Sequence, residues 1–361
     1  MSRWLFLLLL AACSTKQDPP RKNPPKARTV SADNVAVPAG WFSAGCYRVI
    51  GLDLPSTNKE GDAFGEHMRM ESCAREPPRR LWISSFEIAR YEVTNEQYEQ
   101  CRAAGGCVER ASDVSSLWIK PVGEDVSQFP VFVTFKAAEA YCAWRGMRLP
   151  TQGEWEKAAR GTDDRIFAWG DARPSCSRVQ RVDDSLHAIP LGCENKPLRE
   201  IGQLVEGASA YGLQDMEDNA PEWTTDWYNP VPRRTQSLRF TRENQGDYVI
   251  LDLDWASVKY AWGNPNVVDP QGEPPMARMP GYRSSAHVAK GGFHQPGISG
   301  TFIGEFEIIH SDEDQDPVAG FRCVRSISGP KPPAIGSPPA ATFVSPPQEP
   351  GYVPPHGKPG N

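Results

Sequence analysis

The sequence predicts an α+β fold with a large share of irregular backbone. Three observations carry that expectation. Among 361 residues there are 31 glycines, 35 prolines and 11 tryptophans, a composition of turns and aromatic anchors rather than of a helical bundle. Three short segments carry helix start and stop signals. Four short apolar runs read as strands.

At the N-terminus, Arg3 precedes an apolar run from Trp4 to Leu10, which ends at Ala11-Ala12-Cys13. A bilayer span needs about 20 apolar residues. The run therefore reads as the apolar region of a signal peptide, residues 1–12. Leu10-Ala11-Ala12-Cys13 resembles the bacterial lipobox, in which the cysteine becomes the lipidated first residue; an ordinary signal peptide is the alternative. The expectation is a lipid anchor on Cys13, with Ser14 pointing to the outer membrane of a cell envelope. Residues 13–36 mix prolines with Lys16, Arg21, Lys22, Lys26 and Arg28 and read as a disordered tether. Residues 37–327 form one uninterrupted globular stretch. Residues 328–361 hold eleven prolines and read as a polyproline-like or disordered tail.

Within the globular stretch, Leu81 to Ala89 is the first strand. Thr94 and Gln97 then make a capping-box pattern that opens a helix through about Arg102, closed by Gly105-Gly106. Val131 to Val133 is a second strand. Thr134 caps a helix from Phe135 to Arg145, ended by Gly146, in which Ala138, Tyr141, Cys142 and Arg145 share a face. Thr151 and Glu154 form another capping box, opening a helix to Arg160 before Gly161. From Asn229 to Ala286 the chain is rich in Pro, Gly and Arg and reads as an extended insertion. Val288 to Lys290 and Phe321 to Val324 are the last strands.

Charge excludes one class of partner. Thirty-nine Lys and Arg against 45 Asp and Glu leave a net charge of −6, without the basic balance of a nucleic-acid binder. Mean hydropathy is −0.51, a water-soluble composition. The sequence contains no phosphate-binding P-loop, no dinucleotide fingerprint, no His-Glu-x-x-His and no Gly-x-Ser-x-Gly. His287 and His294 flank Lys290-Gly291-Gly292, but no third metal ligand stands close in sequence, so they read as solvated loop histidines.

The cysteines say more. Setting Cys13 aside leaves eight, an even number behind a secretion signal, and four disulfides follow as the expectation. Cys101 and Cys107 bracket Arg-Ala-Ala-Gly-Gly, whose glycines let the chain turn back within disulfide reach. Cys176 with Cys193, and Cys46 with Cys73, enclose polar loops. Cys142 and Cys323 remain. A bridge between them closes the longest loop, worth roughly 4–5 kcal/mol in the entropy account.

The loop Asp215-Met-Glu-Asp-Asn-Ala-Pro-Glu-Trp223 is acidic. Asp215, Asp218 and Glu222 are spaced either to converge on a hard cation with backbone carbonyls or to form a solvated turn.

Taken together, these phrases resemble the formylglycine-generating enzyme (sulfatase-modifying factor) family. The segments that carry the resemblance run in order: Phe86 to Tyr98, Ala140 to Gly161, Phe167-Ala-Trp-Gly170, Tyr211-Gly-Leu213, Asn219 to Trp223, Lys290-Gly-Gly292 and Gly320-Phe-Arg-Cys323. The resemblance implies an irregular α+β fold related to C-type lectins. It implies a structural calcium, with side-chain oxygens from Asp215 and Glu222 and carbonyls from Asp218 and Ala220. The family's long-range disulfide falls on Cys142 and Cys323. Pro221 and Asp218 depart from the family's usual residues in this loop.

The family's oxidase uses two cysteines that follow an Arg-Gly-Gly strand and bind copper as thiolates. Here Lys290 replaces the arginine, and Pro296 and Thr301 stand at the two cysteine positions. Neither is a soft ligand for Cu(I), so no copper is expected. The iron-binding His-x₃-His-x-Glu motif of the ergothioneine-synthase branch does not occur in the sequence. The resulting expectation is a non-catalytic binding or scaffold module, anchored to the envelope membrane, for an envelope protein or a glycan. The alternative is an oxidase of the same family with altered chemistry, with His287 or His294 at a metal.

Overall fold

The computed structural model describes residues 33–45, 48–52, 79–108, 125–172, 175–179, 198–227, 240–244, 248–253, 266–268, 286–291, 306–310 and 319–331. For 48–52, 240–244, 248–253, 266–268, 286 and 306–310 it describes the backbone alone. Cys13, Cys46, Cys73, Cys193, Pro296 and Thr301 lie outside the described residues, as do the signal peptide and most of the proposed tether and tail.

The three helices form where their caps place them. Thr94 opens α1 (Asn95–Ala103): its hydroxyl accepts from the Gln97 amide at 3.2 Å, and the Gln97 side chain accepts from the Thr94 amide at 3.1 Å. Thr134 caps α2 (Phe135–Trp144) through the Ala137 amide. Thr151 and Glu154 repeat the reciprocal box at α3 (Gln152–Arg160), at 3.1 and 2.9 Å. Each box satisfies amides that a helix start otherwise leaves without partners. Gly161 ends α3 at a φ of +77°, and a Cβ there would sit 2.9 Å from the Ala210 Cβ.

The strands differ from the sequence expectation in instructive ways. Leu81 to Ala89 is two strands, β4 (Arg79–Ile83) and β5 (Phe86–Ala89). Ile83 and Phe86 are both buried, three residues apart, and that breaks the period of two a single strand requires. β4 pairs with β2 (Gly40–Ala44), whereas β5 pairs with β1 (Asn34–Val37). Val131–Val133 makes only an isolated bridge, Val133 to Ala319. The last strand is β12 (Val324–Ser326). Phe321, Arg322 and Cys323 before it are buried in succession, which no alternating strand permits.

The expected insertion, 229–286, carries strands of its own. It supplies β7 (Phe240–Asn244), β8 (Tyr248–Leu253) and β9 (Asn266–Val268). β8 pairs antiparallel with β3 (Arg48–Leu52) and with β7, and β9 runs parallel to β4. β6 (Glu222–Trp227), β10 (Ala286–Lys290) and β11 (Phe306–His310) form a further sheet, β10 central. Among the described residues the strands make four separate three-stranded sheets, β1-β5-β12, β11-β10-β6, β2-β4-β9 and β3-β8-β7.

Among the described residues, two larger apolar clusters hold these pieces, beside a smaller one of Phe129, Phe132, Leu198 and Ala220. One gathers Phe42, Leu81, Phe86, Ile88 and Met216 around Trp155 of α3. The other gathers Tyr98, Tyr141, Leu149, Trp223 and Phe321 around the Cys142–Cys323 disulfide. That bridge and Cys101–Cys107 both form as expected. Cys176 is also disulfide-bonded, while its expected partner Cys193 and the Cys46–Cys73 pair lie outside the described residues.

A buried carboxylate gives this scaffold a measurable pH dependence. Asp226 on β6 accepts the Gln152 amide at the start of α3, at 2.7 Å. Burial pushes its pKa up to about 6, against the pull of the Gln152 amide. An acid whose folded pKa is raised favours the fold below its unfolded pKa of about 3.9 and loses that contribution as pH rises through about 6. Two units correspond to about 3 kcal/mol. Asp226→Asn keeps the acceptor and removes the titration. It is expected to exceed the wild type in stability at pH 7 and to match it near pH 4, read by urea unfolding at both pH values. Equal stabilities at pH 7 would refute the assignment.

Candidate functional site

The acidic loop contributes to each cluster: Met216 to the first, Trp223 to the second and Ala220 to the smaller third. Asp215 and Asn219 hold φ of +60° and +69°, the left-handed conformation that Asp and Asn tolerate best among non-glycine residues. These two positions fold the loop back so that its side chains turn inward. Asp215, Asp218, Asn219, Ala220 and Glu222 are all buried.

Each carboxylate is engaged. Asp215 Oδ1 accepts from Arg199 Nη2 at 2.9 Å, and its Oδ2 accepts from the Gly202 amide at 2.6 Å. Asp218 Oδ1 accepts from the same Arg199 Nη2 at 2.5 Å. Both oxygens of Glu222 meet Arg322, through Nη2 and Nε, and the Trp155 indole adds a third donor at 2.8 Å. Glu92 straps the loop from behind. It accepts the Asn219 side-chain amide at 2.8 Å and the Ala220 backbone amide at 3.0 Å. Asn219 Oδ1 in turn accepts the Arg199 amide.

The electrostatics follow from burial and crowding. Burial, with Asp215 and Glu222 nearby, holds the Glu92 pKa well above the carboxylate range. Burial also raises Asp215, against the pull of Arg199. Burial works against the charges of Arg199 and Arg322, but their carboxylate partners outweigh it and both stay firmly protonated.

The donor set does not fit the calcium expected at Asp215, Asp218, Ala220 and Glu222. Calcium takes 6–8 oxygen ligands, whereas both oxygens of Asp215 and of Glu222 already accept hydrogen bonds from protein donors. Among the described residues, no group of three or more His, Cys, Asp or Glu is placed to hold a metal ion.

His287 is also placed differently from a solvated loop residue. Its ring stacks between Phe135 and Trp227, with centroids 3.6 and 3.7 Å away. Burial lowers its pKa to about 4, so it is neutral at neutral pH. It serves as an aromatic packing element.

The segment that would carry family chemistry begins beside the acidic loop. Lys290 is fully buried, its Nζ 3.7 Å from Glu156 Oε2. Gly291 follows with φ of +72°, and a Cβ there would lie 2.8 Å from the Met216 carbonyl and 2.9 Å from the Trp155 ring. Only glycine lets the chain pass so close to the loop. Gly320 is similar: its Cβ would meet Ala220 Cβ at 2.8 Å, and its carbonyl accepts the Trp223 amide. The quoted motifs thus converge on one buried junction.

Sequence reasoning singled out Asp215, Asp218, Ala220 and Glu222, and the structure brings them together. It missed Glu92 and Arg199. Glu92 stands inside the quoted Phe86–Tyr98 phrase, which supplied a signal. Arg199 lies in an aperiodic stretch that supplied none.

Among the described residues, three short helices, small separate sheets and a buried polar junction define an α+β class of protein. The comparisons give its family: residues 20–327 match the sulfatase-modifying factor enzyme 1-like domain, and the chain belongs to that family. Its irregular α+β architecture is the C-type-lectin-like fold expected of it. The chain is 29% identical over 282 residues to hercynine oxygenase of Mycolicibacterium smegmatis, covering 67% of this chain and 60% of that protein. It is 26% identical to the formylglycine-generating enzyme of Bos taurus, covering 54% and 58%. It is 29% identical to the inactive C-alpha-formylglycine-generating enzyme 2 of Bos taurus, covering 52% and 62%. The chain thus spans about six-tenths of the length of these relatives.

Proposed function

We propose that this protein is a lipid-anchored component of a cell envelope whose domain has kept the family fold and lost the cysteine-pair oxidase chemistry. It acts as a binding or scaffold module for an envelope protein or a glycan. The observation that carries this reading is the segment after Lys290-Gly291-Gly292, where Pro296 and Thr301 stand at the positions of the family's two copper-binding cysteines. Neither side chain offers a thiolate, and Cu(I) selects soft sulfur ligands. Recruiting Cys142, Cys323, Cys101 or Cys107 instead would require breaking a disulfide. Similarity to an inactive relative is consistent with a fold retained without the oxidation. The signal peptide, residues 1–12, and lipidated Cys13 put the domain on the outer membrane in this reading.

A second reading is favoured by the similarity to hercynine oxygenase: a metal-dependent oxidase of the family with altered chemistry. Elemental analysis of the purified protein separates the two readings, copper or iron favouring the oxidase, and incubating the copper-loaded, full-length protein with a peptide carrying a sulfatase motif tests the loss of the cysteine-pair chemistry. No aldehyde is expected.

A further inference from the structure

We propose that Arg199 is the resident cation of the acidic loop, in the place where the family resemblance implies a metal ion. A single guanidinium nitrogen of Arg199 lies within hydrogen-bond distance of both Asp215 Oδ1 and Asp218 Oδ1. The Arg199 side chain is 5% exposed, and those of Asp215 and Asp218 are 0% and 6% exposed. Water therefore does little to screen the charges, and the carboxylates need a positive partner.

The backbone around Arg199 is built into the same arrangement. Its own amide donates to Asn219 Oδ1 at 3.1 Å, and the Gly202 amide, three residues on, donates to Asp215 Oδ2 at 2.6 Å. The 199–202 segment thus closes over the loop with one guanidinium and two amides. A metal held by the Asp215 carboxylate would have to displace the Arg199 guanidinium and the Gly202 amide from it. Asp218 supports the same conclusion from the sequence. It is a departure from the family's usual residue in this loop, and it supplies the second carboxylate that Arg199 bridges.

The loop therefore folds without calcium. Thermal unfolding of the full-length protein tests this, comparing a chelator with millimolar calcium. The wild-type melting temperature is expected to be the same in both, and dialysed protein is expected to retain no calcium by elemental analysis. Arg199→Ala is expected to melt several degrees lower, and added calcium to restore part of the loss, because two buried carboxylates then face each other without the guanidinium between them. Arg199→Lys keeps a positive charge and is expected to stay insensitive to calcium. A wild-type melting temperature that falls on chelation and recovers with calcium would overturn the proposal. So would an Arg199→Ala protein that melts with the wild type. Should Arg199→Ala fail to fold, the wild-type comparison and Arg199→Lys still decide.

Discussion

Glu222→Gln is expected to destabilise the protein by about 3–5 kcal/mol, among the largest losses of any conservative substitution in it. Glu222 and Arg322 are both wholly buried. The pair is joined through two guanidinium nitrogens, and Trp155 donates to the same carboxylate. Arg322 also donates to the carbonyls of Arg90 and Gln214, which ties the last chain segment to the end of β5 and to the acidic loop. Glutamine keeps the size but not the charge. It leaves a guanidinium buried among carbonyls with no full counter-charge, and that uncompensated charge is the source of the loss. Arg322→Met leaves the opposite charge stranded and is expected to cost a similar amount. The double variant should lose clearly less than the sum, because the two changes remove one interaction. Urea unfolding of the four proteins gives the cycle. Additive losses would mean that the pair is not coupled as its geometry requires.

The second large effect belongs to the Cys142–Cys323 disulfide. Its sequence separation is 181, against 6 for Cys101–Cys107. In the chain-entropy account the long bridge contributes about 4–5 kcal/mol and the short one about 2. Both long-range cysteines are buried, in the cluster that also holds Tyr141 and Phe321. Cys142→Ala with Cys323→Ala is thus expected to lower the melting temperature well beyond the corresponding change at Cys101 and Cys107. Peptide mapping without reduction should recover both pairs from the wild type. Free Cys142 in native protein would contradict the bridge.

Local signals were readable wherever a local rule decides the structure. The capping boxes at Thr94 and Thr151 fixed two helix starts, because their hydrogen bonds span only three residues. The Cys101–Cys107 turn was legible for the same reason. Long-range cooperation was harder to read. The single strand expected over 81–89 splits because Ile83 and Phe86 enter the core from different sheets, which no local pattern announces. β7 and β8 lie in a stretch rich in Pro, Gly and Arg, and the pairing of β8 with β3 crosses much of the chain.

The candidate site shows the same division. The spacing of Asp215, Asp218 and Glu222 revealed three carboxylates in one loop. Their partners Arg199 and Arg322 come from two other segments, Glu92 from a third holds Asn219 and Ala220 of the same loop, and guanidinium groups meet the carboxylates that the spacing left open between a cation site and a solvated turn. His287 was misjudged as a loop residue because nothing near it in sequence announces Phe135, against which it stacks.

The central claim is that the family fold here works without the oxidase chemistry. Its most direct test is mass measurement of a sulfatase-motif peptide after incubation with copper-loaded, full-length protein in air. With Pro296 and Thr301 at the cysteine positions, the peptide cysteine is expected to remain unconverted, at the level of a control without protein. Conversion of that cysteine to the formylglycine aldehyde above the control would contradict the account.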